Sequence, residues 1–375
     1  MKILLFGNPS TLHSNLATGL AEQGHEVRCI SNRTAWHRFP AYDICLERRT
    51  DINGKLALID YLRHLLPIFR RCKGYDIVQL SNPMFLELRG THLRPFYNFI
   101  RRHNRHIILG SFGDDPHIVE QMLHSDALRY SDQRIGATIR HDSAATLQRE
   151  QWIEDSRHEV GICRHVAKDC DHIVACLYEY WACYRNVYPE KLSFIPLPII
   201  MENTPTEFSV GDKVKLFIGI QKDRTIVKGT DIMLRAAQDI VRDFPHLAEL
   251  RIVENVPYDE YKQIMEGSDA ILDQLYSYTP SMNSLLAMSK GIIDIGGGEP
   301  ESYKIINEHE LRPIINVLPS YESVYAQLKN LIHHRERIPE LKRRSVEYVQ
   351  RHHDHRKVAR QYESLYNSLL HDDKA

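Results

Sequence analysis

The chain has 375 residues, of which 43% are hydrophobic, and carries a formal net charge of −1. That length exceeds one ordinary core and predicts two domains, while the apolar content excludes wholesale disorder. The near-neutral charge excludes bulk electrostatic binding of nucleic acid.

The opening MKILLFG has no signal-peptide core, and no apolar run approaches the roughly 20 residues of a membrane helix, so a cytoplasmic location is expected. The seven cysteines are an odd number, which predicts reduced thiols rather than a disulfide framework. Cys163, Cys170, Cys176 and Cys183 lie close together with His165 and His172 among them, but without a C-x2-C pair. They read as small buried hydrophobes rather than zinc ligands, and no metal is expected.

In chain order, residues 2–6 predict a strand, Gly7-Asn8-Pro9-Ser10 a loop, and 12–23 a helix with Leu12, Leu16 and Leu20 on one face. With a strand over 25–30 this is a Rossmann-like opening, though G-x-G-x-x-G is absent. His13, in the first helical turn, either contacts a substrate or is a solvated or capping histidine. Residues 56–72 form an amphipathic basic helix bearing Arg63, His64, Arg70 and Arg71, and a strand follows over 75–80. A helix over 94–104 ends in Arg101 and Arg102, with Arg105 just before the strand over 106–109. These arginines read either as a solvated face that complements the helix dipole or as a patch for anionic lipid head groups. Asp114 and Asp115 then suit sugar hydroxyls or a positioned base, and equally suit the cap of a helix over 117–123. Residues 125–159 predict loops and short helices, 171–175 a strand and 178–186 a helix.

The polar, prolyl and glycyl stretch 202–212 is the linker candidate. The pattern then restarts with a strand over 215–220, a charged loop over 221–227, Lys228-Gly229 and a helix over 232–244. Further strands are predicted over 250–253, 269–275, 292–295 and 314–317, and helices over 321–335 and 338–370. The most informative stretch is 269–303. An apolar strand ends at Asp273, Ser281 or Thr279 caps a helix carrying Met282, Leu285, Leu286 and Met288, and Lys290-Gly291 closes it. A strand then runs into Gly296-Gly297-Gly298-Glu299. Parallel strands joined by a helix place both strand ends and the helix N-terminus on one rim, where phosphate is attracted. The fold class expected is α/β, with two Rossmann-like doubly wound domains facing a cleft.

Gly219, the Lys228-Gly229 pair, Ala287-Met288-Ser289-Lys290-Gly291 and Gly297-Gly298-Glu299-Pro300-Glu301 follow one another in a spacing that resembles the retaining GT-B glycosyltransferases. The hinge-like Ile195-Pro196-Leu197-Pro198 fits the same plan. The resemblance implies an acceptor-binding domain over 1–198, a linker over 199–213, a nucleotide-sugar domain over 214–345, and a helix over 346–375 packing back towards the first domain. It implies a glycosyltransferase that is retaining and metal-independent, with a nucleotide-diphosphate sugar as co-substrate and no further cofactor. The acceptor would be a glycan or lipid-linked, in surface polysaccharide synthesis, in the cytoplasm or peripheral on the inner membrane face.

By the same resemblance, Lys228 and Arg224 would be the catalytic cations, with Lys222 as the alternative to Arg224, and Asp114 would act on the acceptor side. Gly219, Ser281, Met282, Asn283, Glu299 and Glu301 would bind donor, and Gly7, Asn8 and His13 acceptor. Each has a plainer reading: surface charge for the cations, helix caps for Ser281 and Asn283, capping or surface acids for Glu299 and Glu301. One departure stands out. The family's glutamate pair falls on Tyr278 and Leu286, and Leu286 cannot accept hydrogen bonds from a ribose. An epimerase of the same fold and an inactive partner protein are the alternatives, the missing acids favouring the latter.

Overall fold

The computed structural model describes residues 1–31, 44–46, 48–49, 51–140, 157–202 and 204–372; part of the predicted loop region over 125–159 lies outside them. Fourteen strands are present among these residues. They are β1 (Lys2–Phe6), β2 (Glu26–Ser31), β3 (Ile44–Cys45), β4 (Ile77–Leu80), β5 (His106–Ser111), β6 (Arg134–Ile135), β7 (Thr138–Ile139), β8 (His172–Ala175) and β9 (Leu192–Phe194), then β10 (Val214–Ile220), β11 (Ala248–Glu254), β12 (Ala270–Leu272), β13 (Ile293–Gly296) and β14 (Ile315–Asn316). The first sheet has seven parallel strands in the order β3-β2-β1-β4-β5-β8-β9, and the second has five in the order β11-β10-β12-β13-β14. β6 and β7 form a separate antiparallel hairpin. The expected architecture of two doubly wound α/β sheets is therefore present.

Helices cover the sheets: α1 (Leu12–Glu22), α2 (Gly54–Phe69), α3 (Gly90–His103), α4 (Pro116–His124), α5 (Arg157–Asp169) and α6 (Tyr178–Arg185) in the first half. The second half has α7 (Thr225–Lys228), α8 (Thr230–Asp243), α9 (Tyr258–Met265), α10 (Met282–Ser289), α11 (Pro300–Ile305), α12 (Tyr321–His333), α13 (Ile338–His352) and α14 (His355–Asp372). Central strands such as β4, β5, β12 and β13 are buried along their whole length, as expected when helices cover both faces. In each sheet the strand order reverses once, between β1 and β4 and between β10 and β12. Such switch points open a crevice at the strands' C-terminal ends.

Two local expectations are corrected. Residues 221–227 are not a loop: Lys222–Arg224 is a 3-10 turn and α7 follows, with the Thr225 hydroxyl donating to the Gln221 carbonyl at 3.1 Å. The predicted helix over 338–370 is two helices, broken at His353 and Asp354. There the chain pairs with a crossing segment, Ile199 N–H donating to the His353 carbonyl at 2.7 Å and His355 N–H to the Ile199 carbonyl at 3.0 Å. No glycine or proline marks the break, because a distant strand-like residue makes it.

After the break α14 lies against α1. One apolar cluster contains Leu12, Leu16 and Leu20 of α1, Val358, Ala359, Tyr362 and Tyr366 of α14, and Leu285 and Met288 of α10. The contact is close because Gly19 has no side chain: a Cβ there would lie 2.6 Å from the His355 carbonyl oxygen and 2.7 Å from the Ala359 methyl. Overpacking against a backbone atom forces the helices apart. Gly19→Ala is accordingly expected to lower unfolding stability by about 1–3 kcal/mol, read from urea denaturation, and an unchanged midpoint would contradict this packing.

Candidate active site

At the switch point of the second sheet, β12 ends at Leu272, just before Asp273, and β10 at Ile220. Lys228 closes α7, and its carbonyl accepts the Leu275 N–H at 2.9 Å, which ties it to the chain leaving β12. The tie needs glycine next. Gly229 has φ +69°, and a Cβ there would sit 2.7 Å from that of Leu275 and 2.8 Å from the Tyr276 ring. The close approach at Gly229 is thus one of the protein to itself. It carries the Lys228 ammonium to 3.8 Å from the Asp273 carboxylate, with the two side chains 15% and 4% exposed.

Ser281, rather than Thr279, caps α10, its hydroxyl oxygen accepting the N–H groups of Asn283 and Ser284 at 3.2 and 3.4 Å. The Ser281 hydroxyl donates in turn to Asp273. Asn283 donates to Asp273 and to the Tyr261 hydroxyl, both at 3.0 Å, and the Ser284 hydroxyl meets Asp273 at 3.1 Å and Asp294 at 2.9 Å. Gly219 belongs to this assembly indirectly, since a Cβ there would lie 2.5 Å from the Tyr261 ring. Burial opposes charge on Asp273, but Lys228 and the hydrogen bonds from Ser281, Asn283 and Ser284 hold its carboxyl below the usual range. Asp294 is fully buried beside it, and burial together with the Asp273 charge pushes its carboxyl well above the usual range. Lys228, Gly219, Ser281 and Asn283 thus converge, and the centre on which they converge, Asp273, has no role in the sequence reading. The available signal was an acid closing an otherwise apolar strand. Met282 is half-buried against the cluster that contains α1 and α14.

Glu299 and Glu301 lie elsewhere, on a contact between the halves. Glu299 is 2% exposed and accepts from Arg129 at 2.6 Å, the Tyr130 hydroxyl at 2.8 Å and Asn316 at 3.0 Å. Glu301 meets Arg129 at 3.1 Å. Tyr278, at the first expected glutamate position, accepts the Arg129 and Tyr130 N–H groups at 2.7 and 3.2 Å. Its ring is stacked with Tyr130 and Tyr178, at centroid distances of 4.6 and 5.5 Å. Leu286, at the second, packs against a small cluster containing Phe217 and Ile271.

On the first half's rim, Gly7 has φ +79° and its carbonyl accepts from His13 Nδ1 at 2.6 Å. The other His13 nitrogen meets Gln79 at 3.1 Å, and the Gln79 oxygen accepts from the Tyr366 hydroxyl at 2.6 Å. His13 is 0% exposed and burial lowers its pKa to about 4, so the solvated reading is corrected: the ring is an internal strut between Gly7 and Gln79. Asn8 exchanges hydrogen bonds with Ser14, which orders the start of α1. Asp115, not Asp114, caps α4, accepting the Ile118 N–H at 2.9 Å and the Tyr184 hydroxyl at 2.7 Å. Asp114 is exposed, as is Arg224 in the other half. Both act electrostatically on Tyr180 of α6, whose phenol is pushed well above its usual value by burial first and by Asp114 next, with Arg224 opposing. Tyr180 gave no sequence signal. Beside α7 a groove of about 390 Å³ runs between the β6–β7 hairpin and Ile226, Asp231 and Tyr276; neither Lys228 nor Asp273 lines it.

No protein-family model and no curated protein sequence matches this chain. Its shape does find counterparts among solved structures. Sucrose-phosphate synthase from Thermosynechococcus elongatus aligns at TM-score 0.62 and 12% identity over 99% of this chain and 100% of that one. HepE from Anabaena, in complex with UDP and glucose, aligns at 0.61 and 12% over 98% and 100%. WaaG, a glycosyltransferase involved in lipopolysaccharide biosynthesis, aligns at 0.60 and 11% over 98% and 99%. At such identities the likeness is one of fold, and the chain has the two-domain GT-B fold of these glycosyltransferase structures.

Proposed function

We propose that this protein is a glycosyltransferase that moves a sugar from a nucleotide-diphosphate donor to a glycan or lipid-linked acceptor, in surface polysaccharide synthesis. The observation that carries the reading is Lys228 paired with Asp273, the carboxylate that also holds the Ser281 cap of α10, at a switch point of a GT-B fold. When the bond from sugar to phosphate breaks, negative charge grows on the leaving phosphate. A fixed ammonium and the first-turn amides of Met282 and Asn283 bind that state better than the ground state. Arg224 supplies a second cation, and Asp114 meets the acceptor hydroxyl from the other half. Glu301 keeps a partly exposed carboxylate for the donor sugar, while Glu299, with three partners, holds the wall. The UDP bound by HepE and the ADP bound by a starch synthase from Arabidopsis thaliana support a nucleoside diphosphate as leaving group. Retention of configuration and independence of metal belong to the same proposal.

The test is a panel of nucleotide sugars offered with and without lipid-linked glycan acceptors. Acceptor-dependent release of nucleoside diphosphate is expected. Epimerised donor without acceptor, or binding without turnover, would overturn transfer in favour of an epimerase or an inactive partner. Within that assay Lys228→Ala is expected to lower kcat by roughly 10²-fold or more, with partial rescue by Lys228→Arg. Because the same change strips buried Asp273 of its counter-charge, a loss of about 1–3 kcal/mol of stability should accompany it. Full kcat in Lys228→Ala would remove Lys228 from the site.

We further propose peripheral association with an anionic membrane through α2. No helix among the described residues is long and apolar enough to cross a membrane. Leu56, Ile59 and Leu66 on α2 are nonetheless 59%, 64% and 47% exposed, and exposed Arg63, Arg70, Arg71 and Lys73 lie on or just after the same helix. Apolar side chains flanked by cations suit the interface of an anionic leaflet. Sedimentation with vesicles containing anionic phospholipid should pull the protein down, and neutral vesicles should not. Reversing Arg70 and Arg71 to Glu should weaken binding by about tenfold or more, at roughly 1 kcal/mol per cation. Equal partition to both vesicle types would contradict the proposal.

A further inference from the structure

We propose that Asp273 is the resident counter-anion of the donor pocket: its carboxylate holds Lys228 and the cap of α10, and a diphosphate binds by taking Lys228 over from it. The inference rests on the glycosyl-transfer reading and concerns how that pocket admits and releases its ligand.

Asp273 gathers the groups that would otherwise greet an incoming phosphate. One carboxylate oxygen accepts from Asn283 at 3.0 Å and lies 3.8 Å from Lys228. The other accepts from the hydroxyls of Ser281 and Ser284. Through Ser281, which receives the Asn283 and Ser284 N–H groups, the carboxylate also discharges the positive end of α10. Proton counting agrees with an ionised Asp273. The Ser284 hydroxyl touches both Asp273 and Asp294 but has one proton to give. Asp294, buried beside a negative charge, keeps its own proton and donates it to Ser284, which donates onward to Asp273. The chain of donors therefore ends on Asp273 as the single anion. Lys228 and Asp273 together are neutral, so the pocket offers an arriving diphosphate no net positive charge from this pair.

Two consequences follow. A diphosphate binds against the repulsion of a fixed carboxylate, and Asp273 recaptures Lys228 as the product nucleoside diphosphate leaves. Removing the charge should therefore tighten product binding, whereas removing a merely structural residue would weaken binding or leave it alone.

The experiment is calorimetric titration of wild type and Asp273→Asn with pyrophosphate, UDP and ADP, with thermal melts beside it. The expected result is that whichever of these probes binds wild type binds Asp273→Asn roughly tenfold tighter, the scale of a close charge pair in a partly desolvated site. Asp273→Ser, which keeps a hydroxyl for Ser281 and Asn283, is the second variant should Asp273→Asn fail to fold, and the same gain is expected of it. Equal or weaker binding by a folded variant overturns the counter-anion. If neither wild type nor a variant binds any of the probes, the donor reading itself falls and this inference falls with it.

Discussion

One buried carboxylate fixes the geometry on which the rest depends. Glu179, at the start of α6 in the first half, accepts from the Ser277 hydroxyl at 2.8 Å, the Tyr278 N–H at 2.9 Å and the Thr279 hydroxyl at 2.9 Å, with the Thr279 N–H at 3.4 Å. These residues lie in the loop between β12 and α10. An ionised group taken from water is costly unless its lone pairs are filled, and here donors from the other half fill them. The loop cannot shift without exposing that charge to a low-dielectric interior. Its position sets where Ser281 begins α10 and hence where Asp273 meets the cap.

The neighbouring contacts act on the same joint. Tyr278 places its ring in the first half's core and its hydroxyl under the Arg129 and Tyr130 amides, while Arg129 spans Glu299 and Glu301. This wall is polar, with Glu299, Tyr130 and Tyr278 buried and Arg129 reaching them from a more exposed position. Asp114 and Arg224 are both exposed. The substitution of tyrosine and leucine for the glutamate pair of the resemblance has a physical consequence. The first position has become part of the joint, and the second part of an apolar cluster, so any grip on a nucleoside must use other atoms of the pocket.

Much of this architecture was legible in the chain because it is written in local patterns. Leucines at helical spacing located α1, the choice of Ser281 or Thr279 bracketed the start of α10, and Lys290-Gly291 located its end, where Gly291 has φ +72°. What was illegible depends on residues far apart in sequence. The break before α14 is made by Ile199, the burial of His13 by Gln79 and Tyr366, and the partners of Glu299 come from Arg129, Tyr130 and Asn316. Asp114 and Asp115 were indistinguishable as neighbours, yet one is exposed and the other caps α4 and binds Tyr184. Asp273 was visible as a strand end, but its partnership with Lys228 needed the α7 turn, which the charged run over 221–227 disguised as a loop.

The claim at the centre is that the N-terminus of α10 and Lys228 receive the phosphates of an activated sugar. A crystal structure of the protein soaked with a nucleoside diphosphate tests it most directly. The account predicts a terminal phosphate within hydrogen-bond distance of the Lys228 ammonium and of a first-turn amide of α10, with the ammonium drawn away from Asp273. A nucleotide bound elsewhere, with Lys228 and Asp273 still paired, would contradict it.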